Sequence, residues 1–202
     1  MVPPQSTSQS DGRDALYGSR GAGGLRPAVA GAALGCSTAR EKLSRIAHGL
    51  AQAGATVVRA SRNLDACEAS AREVADAIGA ECAGDRIDVT DEHSVDATFD
   101  RIVERFGALD VLVNCAGINV RNSVEEVPLA DFDTVLDINL RGLWLCCRAA
   151  GRVMRHAGRG SVINFGSALS SVGIPGRTPY CSAKAGVLTG TELYVDGGWT
   201  AQ

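Results

Sequence analysis

Short runs of apolar and β-branched residues alternate along this chain with longer segments in which apolar residues recur every three to four positions. The short runs predict strands, and the longer segments predict helices between them. The predicted strands are Ala28 to Ala32, Thr56 to Ala60, Arg86 to Val89, Leu109 to Asn114, Ser161 to Phe165 and Glu192 to Val195. The predicted helices are Ala39 to Ala53, Leu64 to Ile78, His93 to Phe106, Ala130 to Asn139 continuing to His156, and Pro179 to Leu188.

Strands that alternate with helices predict the α/β class, in which crossover helices cover both faces of a parallel sheet. We expect a Rossmann-type, doubly wound sheet of six strands in a single domain, residues 26–202. Residues 1–25 are rich in Ser, Gly, Gln and Pro and lack apolar periodicity, so they are expected to form a disordered N-terminal tail. This tail has no hydrophobic segment typical of a secretory signal.

Composition narrows the function classes. The 202 residues are 45% hydrophobic, which suffices for one core, and the net charge of -3 offers no basic stripe to a nucleic acid. No apolar run reaches the length of about eighteen residues that a membrane span needs, so no membrane partner is expected. Seven scattered cysteines without a CxxC pair favour a reducing cytoplasm and argue against a metal site.

Tyr180 and Lys184 are the first candidates for chemistry. Their spacing of four residues places them on one face of a helix. An ammonium about 4 Å from a phenol, at an effective dielectric near 20, would stabilise the phenolate by roughly 4 kcal/mol. Tyr180 is therefore a candidate general acid/base near neutral pH, tuned by Lys184. Taken alone, the pair is more often part of a solvated helix surface.

Five further motifs accompany this pair in a fixed order. They are Asp88-Val89-Thr90-Asp91, Asn114-Cys115-Ala116-Gly117, Asp137-Ile138-Asn139-Leu140, Phe165-Gly166-Ser167 and Val195-Asp196-Gly197-Gly198-Trp199. In order and approximate spacing the set resembles the short-chain dehydrogenase/reductase family from Ala28 to Val187, and again from Thr189 to the end.

The resemblance implies hydride transfer between a nicotinamide cofactor and a secondary alcohol or ketone. It implies that Tyr180 exchanges a proton with the substrate oxygen, and that Lys184 eases its ionisation and holds the nicotinamide ribose. Ser167 would hydrogen-bond the reacting oxygen, and Asn139 would anchor a water in a proton relay. Considered singly, Asn139 could instead satisfy a helix backbone, and Asp88 could cap a strand end.

The resemblance also implies cofactor contacts at the strand ends. Those near the adenine and adenosine are Asp88, Val89, Asn114, Ala116 and Gly117. The glycine loop departs from the family pattern TGxxxGxG, because the chain reads Ala30-Gly31-Ala32-Ala33-Leu34-Gly35-Cys36-Ser37. Gly31 and Gly35 remain as cofactor-binding candidates, but the threonine and the third glycine are replaced. Cofactor affinity is therefore expected to differ from that of the family.

Cofactor choice depends on the end of the second strand, Arg59-Ala60-Ser61-Arg62-Asn63. An acid there would bind the ribose hydroxyls of NAD, whereas Arg62 without an acid at Ser61 suits the phosphate of NADP. We expect NADP, with NAD as the alternative cofactor. The alternative interpretation of Arg62 is an exposed arginine on a turn.

A larger departure follows Val187. The family continues there through most of its substrate-binding region and the helix surface that usually forms dimers, whereas this chain proceeds at once to Thr191 to Val195. We expect that segment to take the place beside Ser161 to Phe165, closing a six-stranded sheet. The helix that usually forms the oligomer interface is then truncated, and turnover should be far below that of a full-length relative.

Two function hypotheses follow. The first is an oxidoreductase acting on a small alcohol or ketone. The stretch from Asn114 to Val187 is similar to gluconate or glucose dehydrogenases and to 3-oxoacyl-carrier-protein reductases, which does not fix the substrate. The second is a non-catalytic remnant that keeps a nucleotide-binding scaffold. A sugar-nucleotide epimerase is disfavoured because the chain is too short for the added domain of that class.

Overall fold

The computed structural model describes residues 28–31 and 37–187. Within this part, one parallel sheet has the strand order β3-β2-β1-β4-β5. Its strands are β1 Ala28–Gly31, β2 Val57–Ser61, β3 Cys82–Arg86, β4 Val111–Asn114 and β5 Ser161–Asn164. The order reverses between β1 and β4, which confirms the predicted Rossmann-type α/β fold. The predicted tail and sixth strand lie outside the described residues.

The described residues also form six α-helices and two short helical segments, which lie between these strands or after β5. The α-helices are α1 Ser37–Gln52, α2 Leu64–Ile78, α3 Glu92–Phe106, α4 Leu129–Leu136, α5 Gly142–Ala157 and α6 Thr178–Ala185. A π-helical segment, Asp137–Arg141, joins α4 to α5, and a 3₁₀ turn, Ala168–Ser170, follows β5. No helix of the described residues is long and apolar enough to cross a membrane.

The sheet has a core on each face. Val57 of β2 packs with Ala47 of α1 and Val74 of α2, whereas the next residue, Val58, packs with α3 and α5 through residues such as Ile102. Successive residues of a strand point to opposite faces, so Val57 and Val58 belong to the cores on opposite sides of the sheet. The described helices therefore cover both faces of the sheet at β2 and β4, whereas β5 is largely exposed.

Helix α2 has the predicted bounds because its ends are encoded locally. Asn63 accepts a hydrogen bond from the Ala66 amide at 3.0 Å, which satisfies one of the first amides of the helix. Gly79 ends the helix at a φ of 72°, a left-handed conformation that favours glycine. Asp91 and Gly107 play the same roles at the ends of α3.

The third strand was predicted wrongly at Arg86 to Val89, because β3 begins at Cys82 and already ends at Arg86. The alternating residues Ile87 and Val89 pack into the core after the strand has ended. Gly84 weakens the local strand signal, but a Cβ at that position would come 2.5 Å from the backbone nitrogen of Glu68. Close packing of α2 on β3 therefore requires glycine at position 84, the residue that also weakens the strand signal in the sequence.

The predicted continuous helix from Ala130 to His156 is also wrong, because Asp137–Arg141 is π-helical. There the Gly142 amide bonds to the Asp137 carbonyl, five residues back instead of four. Such a π-bulge adds one residue to a turn and often marks a functional site. It lies at Asn139, one of the predicted site residues.

Helix α6 ends earlier than the predicted Leu188. Its last residue is Ala185, and Gly186, a poor helix former, continues it only as a turn through a bond to the Ser182 carbonyl. Leu188 lies outside the described residues, as does Gly35 of the glycine loop. Gly31 of that loop is the last residue of β1.

Candidate active site

The side chain of Lys184 connects α6 to the end of β5. Its ammonium donates a hydrogen bond to the Phe165 carbonyl at 2.6 Å, and its Nζ lies 5.9 Å from the centre of the Tyr180 ring. Lys184 is only 4% exposed, whereas Tyr180 is half-buried. A buried ammonium therefore lies beside a tyrosine that solvent can still reach.

Burial lowers the pKa of the Lys184 ammonium, because removal from water disfavours its charged form, and the nearby Cys115 opposes this shift. The Phe165 carbonyl compensates part of the lost hydration by accepting a charge-assisted hydrogen bond. A cation held this way needs little reorganisation to stabilise negative charge that develops nearby.

Ser167 begins the 3₁₀ turn that follows β5. Its hydroxyl oxygen accepts a bond from the Leu169 amide at 3.2 Å, and its own amide donates to the Ser170 hydroxyl at 3.2 Å. A serine hydroxyl has two acceptor lone pairs and one donor, so the cap leaves it able to donate a bond to a substrate oxygen. Leu169 is buried and anchors the turn.

Asn139 is fully buried and holds a neighbouring segment. Its Oδ1 accepts from the Ile118 amide and its Nδ2 donates to the Ile118 carbonyl, both at 2.8 Å. A Cβ at Gly117 would come 2.7 Å from the same Oδ1, so this approach depends on glycine. The side chain thus fixes the backbone just after the Asn114-to-Gly117 motif instead of satisfying its own helix. Its role in a proton relay stays a prediction.

Asn114 ends β4 and contacts the neighbouring strand end. Its Nδ2 donates to the Asn164 Oδ1 at 2.9 Å and to the Cys147 sulfur at 3.2 Å. Asn164 is the register partner of Asn114 in β5, so the two amides lock these strand ends together. Ala116 then packs against the core below. This leaves the backbone from Asn114 onward in a fixed position at the carboxyl end of the sheet.

Asp88 follows β3 at the same edge of the sheet. Its Oδ1 accepts bonds from the Thr90 amide at 3.0 Å and the Thr90 hydroxyl at 2.7 Å. Burial alone would raise the pKa of this carboxyl, but the Thr90 bonds and the positive charges of Arg62 and Arg86 together lower it. Asp88 is therefore ionised at neutral pH. The next residue, Val89, is buried against Gly142 of α5.

Ser61 ends β2, and Arg62 lies in the turn that leads to α2. The Ser61 hydroxyl accepts from the Asn63 amide at 3.1 Å and from the Cys67 thiol at 3.0 Å, which fixes the turn. Arg62 is exposed. It lies just beyond the carboxyl end of β2, where its charge acts on Asp88.

The structure thus gathers the predicted residues into two groups. The catalytic candidates lie where α6 packs against the 3₁₀ turn and the π-helical segment. The cofactor candidates Gly31, Ser61, Arg62, Asp88, Val89, Asn114, Ala116 and Gly117 lie at or just beyond the carboxyl ends of β1 to β4. Convergence of the Ser167 and Tyr180 hydroxyls on one substrate oxygen stays a prediction.

Three residues of this region were not predicted from the sequence. Ser170 closes the turn after β5, Asn164 pairs with Asn114, and the Ile118 backbone binds Asn139. The serine three positions after Ser167 has the spacing of a capping box and could have been found from that signal. The contacts of Asn164 and Ile118 join distant segments and leave no local signal.

Comparisons with known proteins agree with this architecture. The sequence profile of the family described as Enoyl-(Acyl carrier protein) reductase matches residues 44–192. The D-threitol dehydrogenase of Mycolicibacterium smegmatis is 37% identical over 160 residues, which cover 79% of this chain. The cis-4-hydroxycyclohexanecarboxylate dehydrogenase of Sinomonas cyclohexanicum is 40% identical over 160 residues, again 79% of this chain.

Among solved structures, the gluconate 5-dehydrogenase of Burkholderia cenocepacia in complex with NADP and tartrate superimposes with a TM-score of 0.73. It is 31% identical, and the match covers 81% of this chain and 62% of that one. This chain spans 59% of the length of the threitol dehydrogenase and 61% of that of the hydroxycyclohexanecarboxylate enzyme. The profile match, these relatives and the shared fold show that the chain belongs to the short-chain dehydrogenase/reductase family.

Proposed function

We propose that the chain binds NADP(H) and interconverts a secondary alcohol and a ketone, with Tyr180 as the general acid/base. The observation that carries this proposal is the placement of Lys184, whose buried ammonium lies beside the Tyr180 ring and bonds to the Phe165 carbonyl. Phe165 stands two residues before Ser167, so a hydroxyl donor, a phenol and a cation come from adjoining elements. A carbonyl reduction needs these three groups around one oxygen.

The strand ends fit a dinucleotide. Asp88 keeps an ionised carboxylate at the edge where the adenosine is expected, and Arg62 offers a guanidinium suited to the phosphate of NADP. The backbone at Gly117 can approach the Asn139 side chain closely, because glycine has no side chain of its own. Bound NADPH would supply the hydride. NAD is the alternative cofactor, favoured if the Asp88 charge counteracts that of Arg62.

Each residue has a defined part in the proposed reduction. Tyr180 donates its hydroxyl proton to the substrate oxygen, and Ser167 donates a hydrogen bond to that same oxygen. Lys184 stabilises the phenolate that remains and binds the nicotinamide ribose. Asn139, whose side chain is held by Ile118, anchors a water for proton return. Oxidation of an alcohol follows the same steps in reverse.

The substrate class proposed is a small hydroxylated or carbonyl compound. The names of the two relatives denote a threitol and a hydroxycyclohexanecarboxylate as alcohol substrates. A panel should therefore contain linear polyols, cyclic hydroxy acids and the corresponding ketones. Single-carbonyl compounds without further polar groups serve as the comparison within that panel.

The second candidate is a nucleotide-binding scaffold without productive turnover. It is favoured by the apolar residues Val162 and Ile163 of β5, which are 41% and 45% exposed. Exposed apolar side chains on a strand beside the proposed catalytic turn form a surface that another element would ordinarily cover, and a cleft left uncovered there would hold substrate poorly. Binding of cofactor without turnover is the outcome that this candidate predicts.

One experiment separates the two candidates. NADPH is titrated by fluorescence, and the saturated protein is then assayed with the ketone panel. The sequence has only two lysines, Lys42 and Lys184, so amine labelling read by mass spectrometry provides a second test of binding. NADP should protect Lys184 relative to Lys42. Cofactor binding with turnover supports the oxidoreductase, and binding without turnover supports the scaffold. Absence of binding in both the fluorescence titration and the labelling contradicts both.

A further inference from the structure

Ser170 uses both hydrogen-bonding capacities of its hydroxyl to join two elements of the candidate active site. The oxygen accepts from the Ser167 amide at 3.2 Å, and the hydroxyl donates to the Lys184 carbonyl at 3.0 Å. The first bond is within the turn after β5 and the second reaches α6. We propose that Ser170 is a positioning residue that fixes Ser167 against the helix carrying Tyr180 and Lys184. The expected effect on kcat rests on the proposed function, whereas the structural role of Ser170 does not.

Hydrogen bonds to Lys184 hold the chain on both sides of Ser167. Lys184 binds the Phe165 carbonyl through its ammonium and the Ser170 hydroxyl through its own carbonyl. Phe165 lies two residues before Ser167 and Ser170 three residues after it, so both sides of the turn are tied to one residue of α6. If the bond from Ser170 is lost, the turn is held to α6 only by the bond between Lys184 and Phe165 and can rotate about it. The separation of the Ser167 and Tyr180 hydroxyls is then no longer fixed.

A hydroxyl is required at this position because one atom must both accept and donate. Alanine removes both bonds, whereas threonine keeps both. The turn itself should persist in Ser170→Ala, because Leu169 is buried and the Ser167 hydroxyl still caps the Leu169 amide. The variant is therefore expected to fold with a displaced turn.

The kinetic test compares Ser170→Ala with Ser170→Thr and with Ser182→Ala. Ser182 is exposed on α6, so its variant removes one hydroxyl from the same helix without touching the turn. We expect kcat of Ser170→Ala to fall about 10- to 100-fold, because misplacement by about 1 Å costs a factor of this size. The NADPH Kd should stay within about threefold, since alignment and not binding is lost. Ser170→Thr should restore kcat, and Ser182→Ala should match the parent chain.

A second readout does not need turnover. Lys184 is buried and should label slowly with an amine reagent, with Lys42 as the internal reference in each sample. Ser170→Ala should raise the Lys184-to-Lys42 labelling ratio about fivefold, the factor that corresponds to one lost hydrogen bond. Ser170→Thr and Ser182→Ala should leave the ratio unchanged.

These outcomes separate the positioning role from the proposed function. A parent chain without turnover contradicts the oxidoreductase proposal, while the labelling ratio still decides whether Ser170 holds α6 to the turn. An unchanged labelling ratio in Ser170→Ala overturns the positioning role. In an active chain, an unchanged kcat overturns it as well, because a cap that serves only local structure would not alter alignment.

Discussion

The Lys184 ammonium lies 2.6 Å from the Phe165 carbonyl oxygen, within hydrogen-bond distance, and so joins α6 to the end of β5. This contact orients the ammonium before any substrate binds, and it does so next to the turn that carries Ser167. The charge-assisted bond offsets part of the cost of desolvating the cation, and the rest is seen as the lowered pKa of Lys184.

The first prediction concerns the proton donor. Tyr180→Phe should reduce turnover by about 100- to 10,000-fold, the usual contribution of a general acid/base, because the ring remains but its proton is removed. The NADPH Kd should stay nearly unchanged, since the aromatic surface beside Lys184 is kept. Steady-state kinetics and fluorescence titration measure the two quantities. Turnover retained in this variant would remove tyrosine from the mechanism.

The second prediction concerns cofactor choice. Arg62→Ala should raise the NADP Kd about 10- to 100-fold, as expected for loss of hydrogen bonds to a charged group, and should leave the NAD Kd unchanged. Arg72→Ala is the matched control, because Arg72 lies on α2, its side chain is 68% exposed, and it pairs with Glu68 at 3.7 Å. Equal affinities of the parent chain for both cofactors, or an unchanged ratio in Arg62→Ala, would defeat the assignment.

The third prediction concerns stability in acid. The pKa of Asp88 is lower in the folded chain than in the unfolded one, so its contribution is fully present above the unfolded pKa and is lost as pH falls through the folded pKa. Asp88→Asn should therefore lower the free energy of unfolding at pH 7 and flatten its decline in acid. Urea denaturation from pH 7 to pH 3 tests this. Parallel pH curves for the two proteins would contradict it.

The fourth prediction uses two glycines of α5. Gly142→Ala should destabilise the fold by about 1–3 kcal/mol, because the added Cβ would lie 2.8 Å from Val89 Cγ2 and 3.0 Å from the Val89 carbonyl. Gly151→Ala has nothing within 4 Å of the new Cβ and should stabilise the helix by up to about 1 kcal/mol. Thermal unfolding of both variants gives the comparison. Equal effects would mean that α5 does not approach Val89 as closely as described.

The fifth prediction concerns the other side of β5. In the described residues β5 pairs with β4 along one edge, and its residues Val162 and Ile163 are partly exposed. The eight residues of α6 span about 12 Å, enough to return the chain toward the opposite edge of β5. We expect Glu192 to Val195 to pair in parallel with Ser161 to Phe165. Hydrogen exchange should then show protected amides in Glu192 to Val195. An experimental structure without this ladder would refute the arrangement.

The shortened segment after Val187 also leads to an expectation about turnover. If most of the family's substrate-binding region is missing after Val187, as the sequence predicts, water would be poorly excluded and substrate poorly held. We therefore expect turnover below about 1 per second, with weak selectivity among ketones. A turnover number in the ordinary enzyme range would contradict this expectation while supporting the oxidoreductase itself.

The sequence by itself determined the fold class, most elements and the candidate site residues. Helix α2 was predicted at its observed bounds because Asn63 and Gly79 act on amides and carbonyls within their own turn. Likewise, Tyr180 and Lys184 share a helix, so their spacing alone brought them together. Such features depend on residues a few positions apart, which periodicity and capping rules describe.

Only the tertiary structure decided how these residues are held. The acceptor for Lys184 is a carbonyl nineteen positions away, and the partner of Asn139 is a backbone segment twenty-one positions away. The place of β3 likewise depended on the approach of α2 to Gly84. Backbone carbonyls and glycine hydrogens carry no side-chain pattern, so contacts made through them become visible only when distant segments are packed together.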